Sequence, residues 1–282
     1  MAADAKTTRP RIAVNSLFSV VAWMFPILIG FISTPILVRN LGSEEYGLLA
    51  VVLGFVSYSF AFGVGKVAGK YVPEFQTAGA GEKVTQVIAA TFWVSLAIGL
   101  VGSAGLALSA DYLVRNALLI KPETQTIAIQ SLYIAGAVGV VTMLTQVFQF
   151  VLQGLHRFDN YAALTNLSGL LLGGGNILLV LNGAGVRGLL LWNLIVLSLI
   201  GFLFYIRSRH LLPSMHLFAS VPSPMLKTVV RYAGSIVLYQ IFAKVLLIFE
   251  RAWVTRKFGS EGLTYYFVPM ILAIYMHGFV GS

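Results

Sequence analysis

The chain has 282 residues, 58% of them hydrophobic and 10% charged, with a formal net charge of +9 and no cysteine. Soluble domains carry about a quarter charged residues, so a surface this poor in charge excludes an ordinary water-soluble fold and points to lipid as the solvent. The missing cysteines exclude disulfides, iron–sulfur clusters and thiolate metal sites, and the basic excess never gathers into a run longer than two residues, which argues against nucleic acid and for cytoplasmic loops and anionic headgroups.

A helix needs about 20 apolar residues to cross the hydrocarbon core. Eight stretches meet that length, at roughly 12–38, 46–66, 84–110, 127–155, 161–181, 188–206, 229–250 and 263–282. Strand-type alternation is absent, so the expected fold is an all-α polytopic membrane protein rather than a β-barrel. The basic flank Lys6, Arg9 and Arg11 precedes an apolar run too long for a cleaved signal peptide. With the N-terminus placed inside, eleven Lys and Arg fall on the inner side and seven on the outer side, which supports a cytoplasmic N-terminus.

The first span holds Pro26 and Pro35, read either as a packing bend or as a gating bend. Small residues recur at four-residue spacing in Gly65/Gly69 and Gly169/Gly173, which lets helices approach closely. The three Gln of the fourth span, Gln146, Gln149 and Gln153, share one stripe with Tyr133 further along, and serve either to line a cavity or to cross-link helices. Residues 207–228 hold three prolines and no long apolar run, and read as a cytoplasmic linker between a six-helix lobe, 1–206, and the start of a second lobe, 229–282.

That division explains a repeated phrase. Residues 38–47 read VRNLGSEEYG and residues 255–264 read TRKFGSEGLT; Arg39 and Arg256, like Gly42 and Gly259, lie 217 residues apart. Gly is expected to close one helix and Ser43 to cap the next. Both copies follow a span of the same orientation, so the repeat is parallel, a construction that transporters use with the substrate site between the halves. The chain ends inside an apolar run, so a longer protein is expected.

Four stretches carry a family resemblance: TPILVRNLGSEEYGLLA at 34–50, FGVGKVAGKYVPEF at 62–75, QGLHRFDNYAALTNL at 153–167 and FERAWVTRKFGSEGLTYYFVPMILA at 249–273. In order and spacing the chain resembles the bacterial polysaccharide and oligosaccharide-lipid flippases, within the multidrug/oligosaccharidyl-lipid/polysaccharide exporter superfamily. Members have about twelve or more helices in two lobes, and often carry an Asp-Arg pair in helix seven where this chain has Glu250-Arg251. The resemblance implies transport of an undecaprenyl-diphosphate-linked oligosaccharide across the bacterial inner membrane by alternating access. It implies no covalent chemistry, no cofactor beyond a coupling cation or proton, and a monomer at full length. The alternatives are a membrane-embedded glycosyltransferase or polymerase of the same pathway, and a multidrug exporter of the same superfamily. The enzyme lacks paired acids in an outer loop, and the drug exporter calls for acids in the first six spans, where few occur.

Charges within spans cost about 2.5–3.5 kcal/mol each on insertion scales, so they are the first candidates for function. Lys244 lies deep in the seventh span, and Arg251, seven residues on, shares its face; together they form a cationic stripe suited to a diphosphate, or an ion pair with another helix. Glu250 beside them is a candidate coupling site. Lys66 and Lys70 end the second span, as a diphosphate contact or as snorkelling lysines with Lys70 facing Glu74. The surrounding GVGKVAGKY is not a phosphate loop, because the glycine spacing is wrong and Tyr71 replaces the Ser or Thr. Arg39 and its mate Arg256 are outer anchors or part of an outer gate. The four histidines show no metal-ligand spacing.

Overall fold

The computed structural model describes the backbone over residues 5–59 and 63–280, with side chains described chiefly over 24–54, 63–240 and 249–271. The chain forms α1 (Ala5–Ser59), α2 (Lys66–Thr77), α3 (Gly81–Tyr112) with a π-helical extension (Leu113–Ala117), α4 (Pro122–Gly154), α5 (Phe158–Leu181), α6 (Val186–Leu211) and α7 (Ser223–Val280). Among the described residues there is no strand. Five helical stretches are long and apolar enough to cross a bilayer: Met24–Gly54, Gly81–Ala117, Pro122–Gly154, Phe158–Leu181 and Val186–Leu211. The chain is an all-α, multi-pass membrane protein.

Local chemistry sets the helix ends. Pro122 opens α4, where its missing N–H costs nothing, and Glu123 complements the dipole of the first turn. Arg209 and His210 sit in the last turn of α6, where positive charge is favoured. α1 and α7 are each two helices joined at one glycine. Gly42 has φ 80° and ψ 164°, and Gly259 has φ 73° and ψ −178°. A side chain at such φ is strained, so glycine is what lets the chain reverse there. The two repeat mates thus adopt the same backbone conformation. The backbone stays helical through Pro26 and Pro35, and the break in α1 falls at Gly42 instead.

Four expectations shift. The second span does not run unbroken to residue 66: α1 ends at Ser59, and Lys66 begins the separate helix α2 after Gly63 in a left-handed conformation. The connector between the third and fourth spans, near 111–126, is shorter than expected, because the helix of α3 continues into a π turn. The linker is also shorter, since α6 stays helical to Leu211 and α7 starts at Ser223. Ser43 reaches across to another helix: its hydroxyl donates to Glu261 Oε1 at 3.3 Å.

The small residues place the helices. A Cβ at Gly169 would touch Pro26 at 3.3 Å, and one at Gly173 would overlap Ile29, so the first arm of α1 lies directly on α5. A Cβ at Gly65 would meet the Gln146 carbonyl at 2.5 Å, which seats the start of α2 on α4. The 212–222 connector is tied under α3, with the Trp93 indole donating to the Leu217 carbonyl at 2.8 Å and Thr85 to the Ser214 carbonyl at 3.1 Å. α7 starts near α2 and α3 and crosses to α1.

Candidate functional site: a cation-lined cavity

The packing of α1, α4, α5, α6 and α7 leaves a cavity of about 620 Å³, within the range of small-molecule sites. Its walls are mostly apolar, including Leu37, Leu49 and Phe267. Polar groups come from Ser33 and Thr34 of α1, Thr142 of α4, Asn176 of α5, Asn193 of α6 and Arg251 of α7. Among the described residues that line it, Arg251 is the charged one, and no carboxylate does so.

Two described contacts hold Arg251. It is 9% exposed. Its Nη1 donates to the Ala50 carbonyl at 3.1 Å, and its guanidinium carbon lies 4.2 Å from the centre of the Phe267 ring. Gly54 makes room for it, since a Cβ there would stand 2.5 Å from Nη1. Burial of a guanidinium among apolar walls is costly, and the aromatic face and carbonyl offset part of that cost.

Glu250, the neighbouring acid, is half-buried and accepts a hydrogen bond from the Tyr266 hydroxyl. It does not line the cavity. Asn176 and Asn193 do, and the amide oxygen of each is buried with no hydrogen-bond partner in the protein.

The other sequence candidates lie elsewhere. Lys244 belongs to α7, but its side chain falls outside the described residues. Lys66 and Lys70 are exposed on α2, away from the cavity lining. Lys70 makes no ion pair with Glu74; its ammonium lies 4.8 Å from the ring centres of both Tyr71 and Tyr232, because α7 brings a second aromatic face to it. Gln146, Gln149 and Gln153 are half-buried on α4 and do not line the cavity. Pro26 lines it, whereas Pro35 and Arg39 are exposed on α1. Sequence reasoning brought Arg251 and Pro26 to the site and missed Ser33, Thr34, Asn176 and Asn193. The two asparagines carried a usable signal, because each is an isolated amide inside a long apolar span.

Among the described residues no cluster of His, Asp or Glu could hold a metal. At the turn end, Lys121 pairs with Glu44 at 3.0 Å, and the hydrogen bond to that carboxylate raises the lysine above its ordinary value.

A multi-pass helical fold with a mostly apolar pocket that holds one buried arginine among its described lining is therefore the class that the structure defines. No family model and no curated protein matches the chain. Solved structures share its fold. One is a MOP superfamily transporter from Pyrococcus furiosus, 18% identical, with a TM-score of 0.67 over 91% of this chain and 60% of that one; a reversed polarity of its binding pocket is said to suggest a different function for it. Another is a multidrug resistance MATE family transporter of the MOP superfamily in an inward-facing conformation, 19% identical, with a TM-score of 0.66 over 88% of this chain and 59% of that one. A third is MATE in complex with MaD3S, 19% identical, with a TM-score of 0.69 over 94% of this chain and 61% of that one. At these identities the likeness is one of fold, and the chain spans about three-fifths of the length of each structure.

Proposed function

We propose that the protein is a flippase that carries a lipid-diphosphate-linked oligosaccharide from the cytoplasmic to the periplasmic leaflet of a bacterial inner membrane. The observation that carries this reading is the sign of the cavity: its described lining holds the guanidinium of Arg251 and no carboxylate. A diphosphate crossing hydrocarbon needs a cation, and Arg can bind phosphate oxygens bidentately. The lipid tail stays in the bilayer while the cavity shields the charged head. Residues 1–206 form the first lobe, with a cytoplasmic N-terminus, and 229–282 open a second. The work is transport without covalent chemistry, by a monomer whose partners are its lipid-linked substrate and the bilayer.

The second reading is a multidrug exporter, favoured by the fold shared with MATE transporters. Cationic drugs call for acids, and Glu250, the acid next to Arg251 in the chain, is engaged by Tyr266 and does not line the cavity. Proteoliposomes separate the two. Flipping of an undecaprenyl-diphosphate-linked sugar, followed by its access to an external enzyme, is expected in the wild type. Arg251→Gln is expected to weaken binding about tenfold to a hundredfold, the worth of a charge-assisted hydrogen bond. Export of a lipophilic cation without any flipping of the sugar lipid would establish the second reading and refute the first.

A further inference from the structure

A second groove, of about 260 Å³, lies between α3, α4, α6 and the 212–222 connector. It shares no lining residue with the cavity that holds Arg251. Its walls are apolar and rich in rings, with Phe92, Phe148, Phe202 and Tyr205 among them. Along α6 the lining runs from Ser198 to Tyr205, and along α4 from Val141 to Phe148, so each wall is about 10 Å of helix. Tyr205 meets Phe148 edge to face, with ring centres 5.3 Å apart. Leu217 brings the connector into the lining, and its carbonyl is held by the Trp93 indole.

Positive charge stands where α6 runs out of the groove. Beyond Tyr205, the side chains of Arg207, Arg209 and His210 are exposed. Arg209 is tied to the groove wall, because its Nη1 donates to the Tyr205 hydroxyl at 3.0 Å. Among the described residues no carboxylate forms an ion pair with Arg207 or Arg209. An apolar slot in a membrane-spanning lobe thus leads up to an arginine with no acid on it.

We propose that this groove binds one anionic phospholipid, with an acyl chain among the rings and the phosphate on Arg209. Size selects the chain. A helix is about 10–12 Å across with its side chains, so a groove of 260 Å³ is far too small to seat a helix of a second copy, whereas a hydrocarbon chain is thin enough to enter. Charge selects the head. Arg binds phosphate oxygens bidentately, and basic pockets between spans favour anionic headgroups. A zwitterionic lipid brings the same phosphate with its own ammonium attached, and is the weaker partner. The bound lipid packs on Leu217, and so on the strap that leads into α7. The assignment needs no part of the flippase reading, and its failure leaves that reading untouched.

Trp93 reports on the groove from its rim, since its ring centre lies 5.6 Å from those of Phe92 and Phe218. The full chain is reconstituted in phosphatidylcholine vesicles that hold a small, equal fraction of either phosphatidylglycerol or phosphatidylcholine with brominated chains. The fluorescence quenched in the wild type and spared in Trp93→Phe is the signal of Trp93. Brominated phosphatidylglycerol is expected to quench it as though enriched about fivefold over brominated phosphatidylcholine. Ser198→Phe fills the groove from an exposed position and is expected to abolish the enrichment. Leu199→Phe, one position along and outside the lining, is expected to keep it. Arg209→Gln is expected to remove most of it, and Arg209→Lys to restore part. Native mass spectrometry of the extracted wild type is expected to show one retained phosphatidylglycerol.

Equal quenching by the two lipids in the wild type overturns the proposal. So does an enrichment that survives Ser198→Phe, which would be the diffuse pull of a basic surface on anionic lipid. So does an equal loss in Ser198→Phe and Leu199→Phe, which would reflect a disturbed helix. Where Ser198→Phe lowers the thermal midpoint, the Arg209 pair decides: equal enrichment in Arg209→Gln and the wild type refutes the phosphate contact. A dimer without a lipid adduct in the mass spectrum would give the face to a second copy of the chain and overturn the lipid assignment.

Discussion

The Thr264 hydroxyl donates to the Ser43 carbonyl at 2.5 Å, and its repeat counterpart is the place where Gly47 lies against the carbonyl of Ser260. Residue 43 maps to 260 and residue 47 to 264 under the same 217-residue shift. The two close approaches therefore occupy equivalent positions in the two repeats, with the hydroxyl hydrogen bond made on the Thr264 side. A Cβ at Gly47 would overlap the Ser260 backbone. Gly47→Ala is expected to push the two turns apart and to cost about 1–3 kcal/mol, as overpacking does. The thermal midpoint in detergent checks this. Because the native chain has no cysteine, a Ser43→Cys, Thr264→Cys double variant holds the only thiols. It is expected to cross-link under mild oxidant and to stop transport until reduced. Free transport in the fully cross-linked protein would show that this end of the cavity never opens.

Gly54 and Arg251 make a second pair whose sizes are matched. Gly54→Ala puts a methyl where Nη1 now sits, 2.5 Å from it. The guanidinium must then leave the Ala50 carbonyl or the Phe267 face. The expected result is a loss of anion affinity approaching that of Arg251→Gln, about tenfold, in a protein that still folds. Arg251→Lys is expected to recover part of the affinity, since a point charge remains but the bidentate geometry does not. Calorimetry with a phosphate-bearing ligand measures both.

His156 stands after α4 with φ 57°, in the left-handed region that non-glycine residues enter at a cost of about 1–2 kcal/mol. Glycine removes that cost and returns about 0.4–1 kcal/mol through the freer unfolded chain. His156→Gly is thus expected to stabilise the protein by roughly 0.5–1 kcal/mol, visible as a higher thermal midpoint. A lower midpoint would mean that the imidazole itself holds the turn.

Lys121 binds the α3–α4 connector to Glu44, two residues beyond Gly42. Its raised pKa fixes the sign of the pH effect. The folded state holds the proton more tightly than the unfolded state, so the pair adds stability below the ordinary lysine value, and the gain disappears as pH rises through the raised one. The pair is exposed, so the effect is small and screened by salt. Wild type and Lys121→Gln should differ in thermal midpoint at neutral pH and low salt, and converge above the lysine range or in 1 M salt.

The architecture was legible because lipid imposes a strict rule: apolar length fixes the spans, and backbone groups must bond within them. The Gly42 and Gly259 turns were readable for a similar reason, since few residues besides glycine tolerate positive φ. The end of the second span was not readable. Residues 46–66 are apolar throughout, and hydropathy carries no mark of the break before Lys66. Lys70 was misplaced because helical spacing knows only its own helix, and Tyr232 comes from a helix about 160 residues away. At the cavity, charge drew attention to Arg251, which lines it, and the same rule applied to amides would have drawn attention to Asn176 and Asn193. The glutamine stripe on α4, open from sequence to either a cavity or a helix-linking role, lies outside the lining of this cavity: a polar face need not be a cavity face.

The doubled contact at the two glycine turns has a bearing on mutational tolerance. The close approach is made twice, and the Thr264 side adds a hydrogen bond to it. Damage at Gly47 leaves Thr264 on Ser43, and damage at Thr264 leaves Gly47 seated on Ser260. Single lesions at this end should be milder than their geometry suggests, and the severe phenotype should appear only when both copies are struck together.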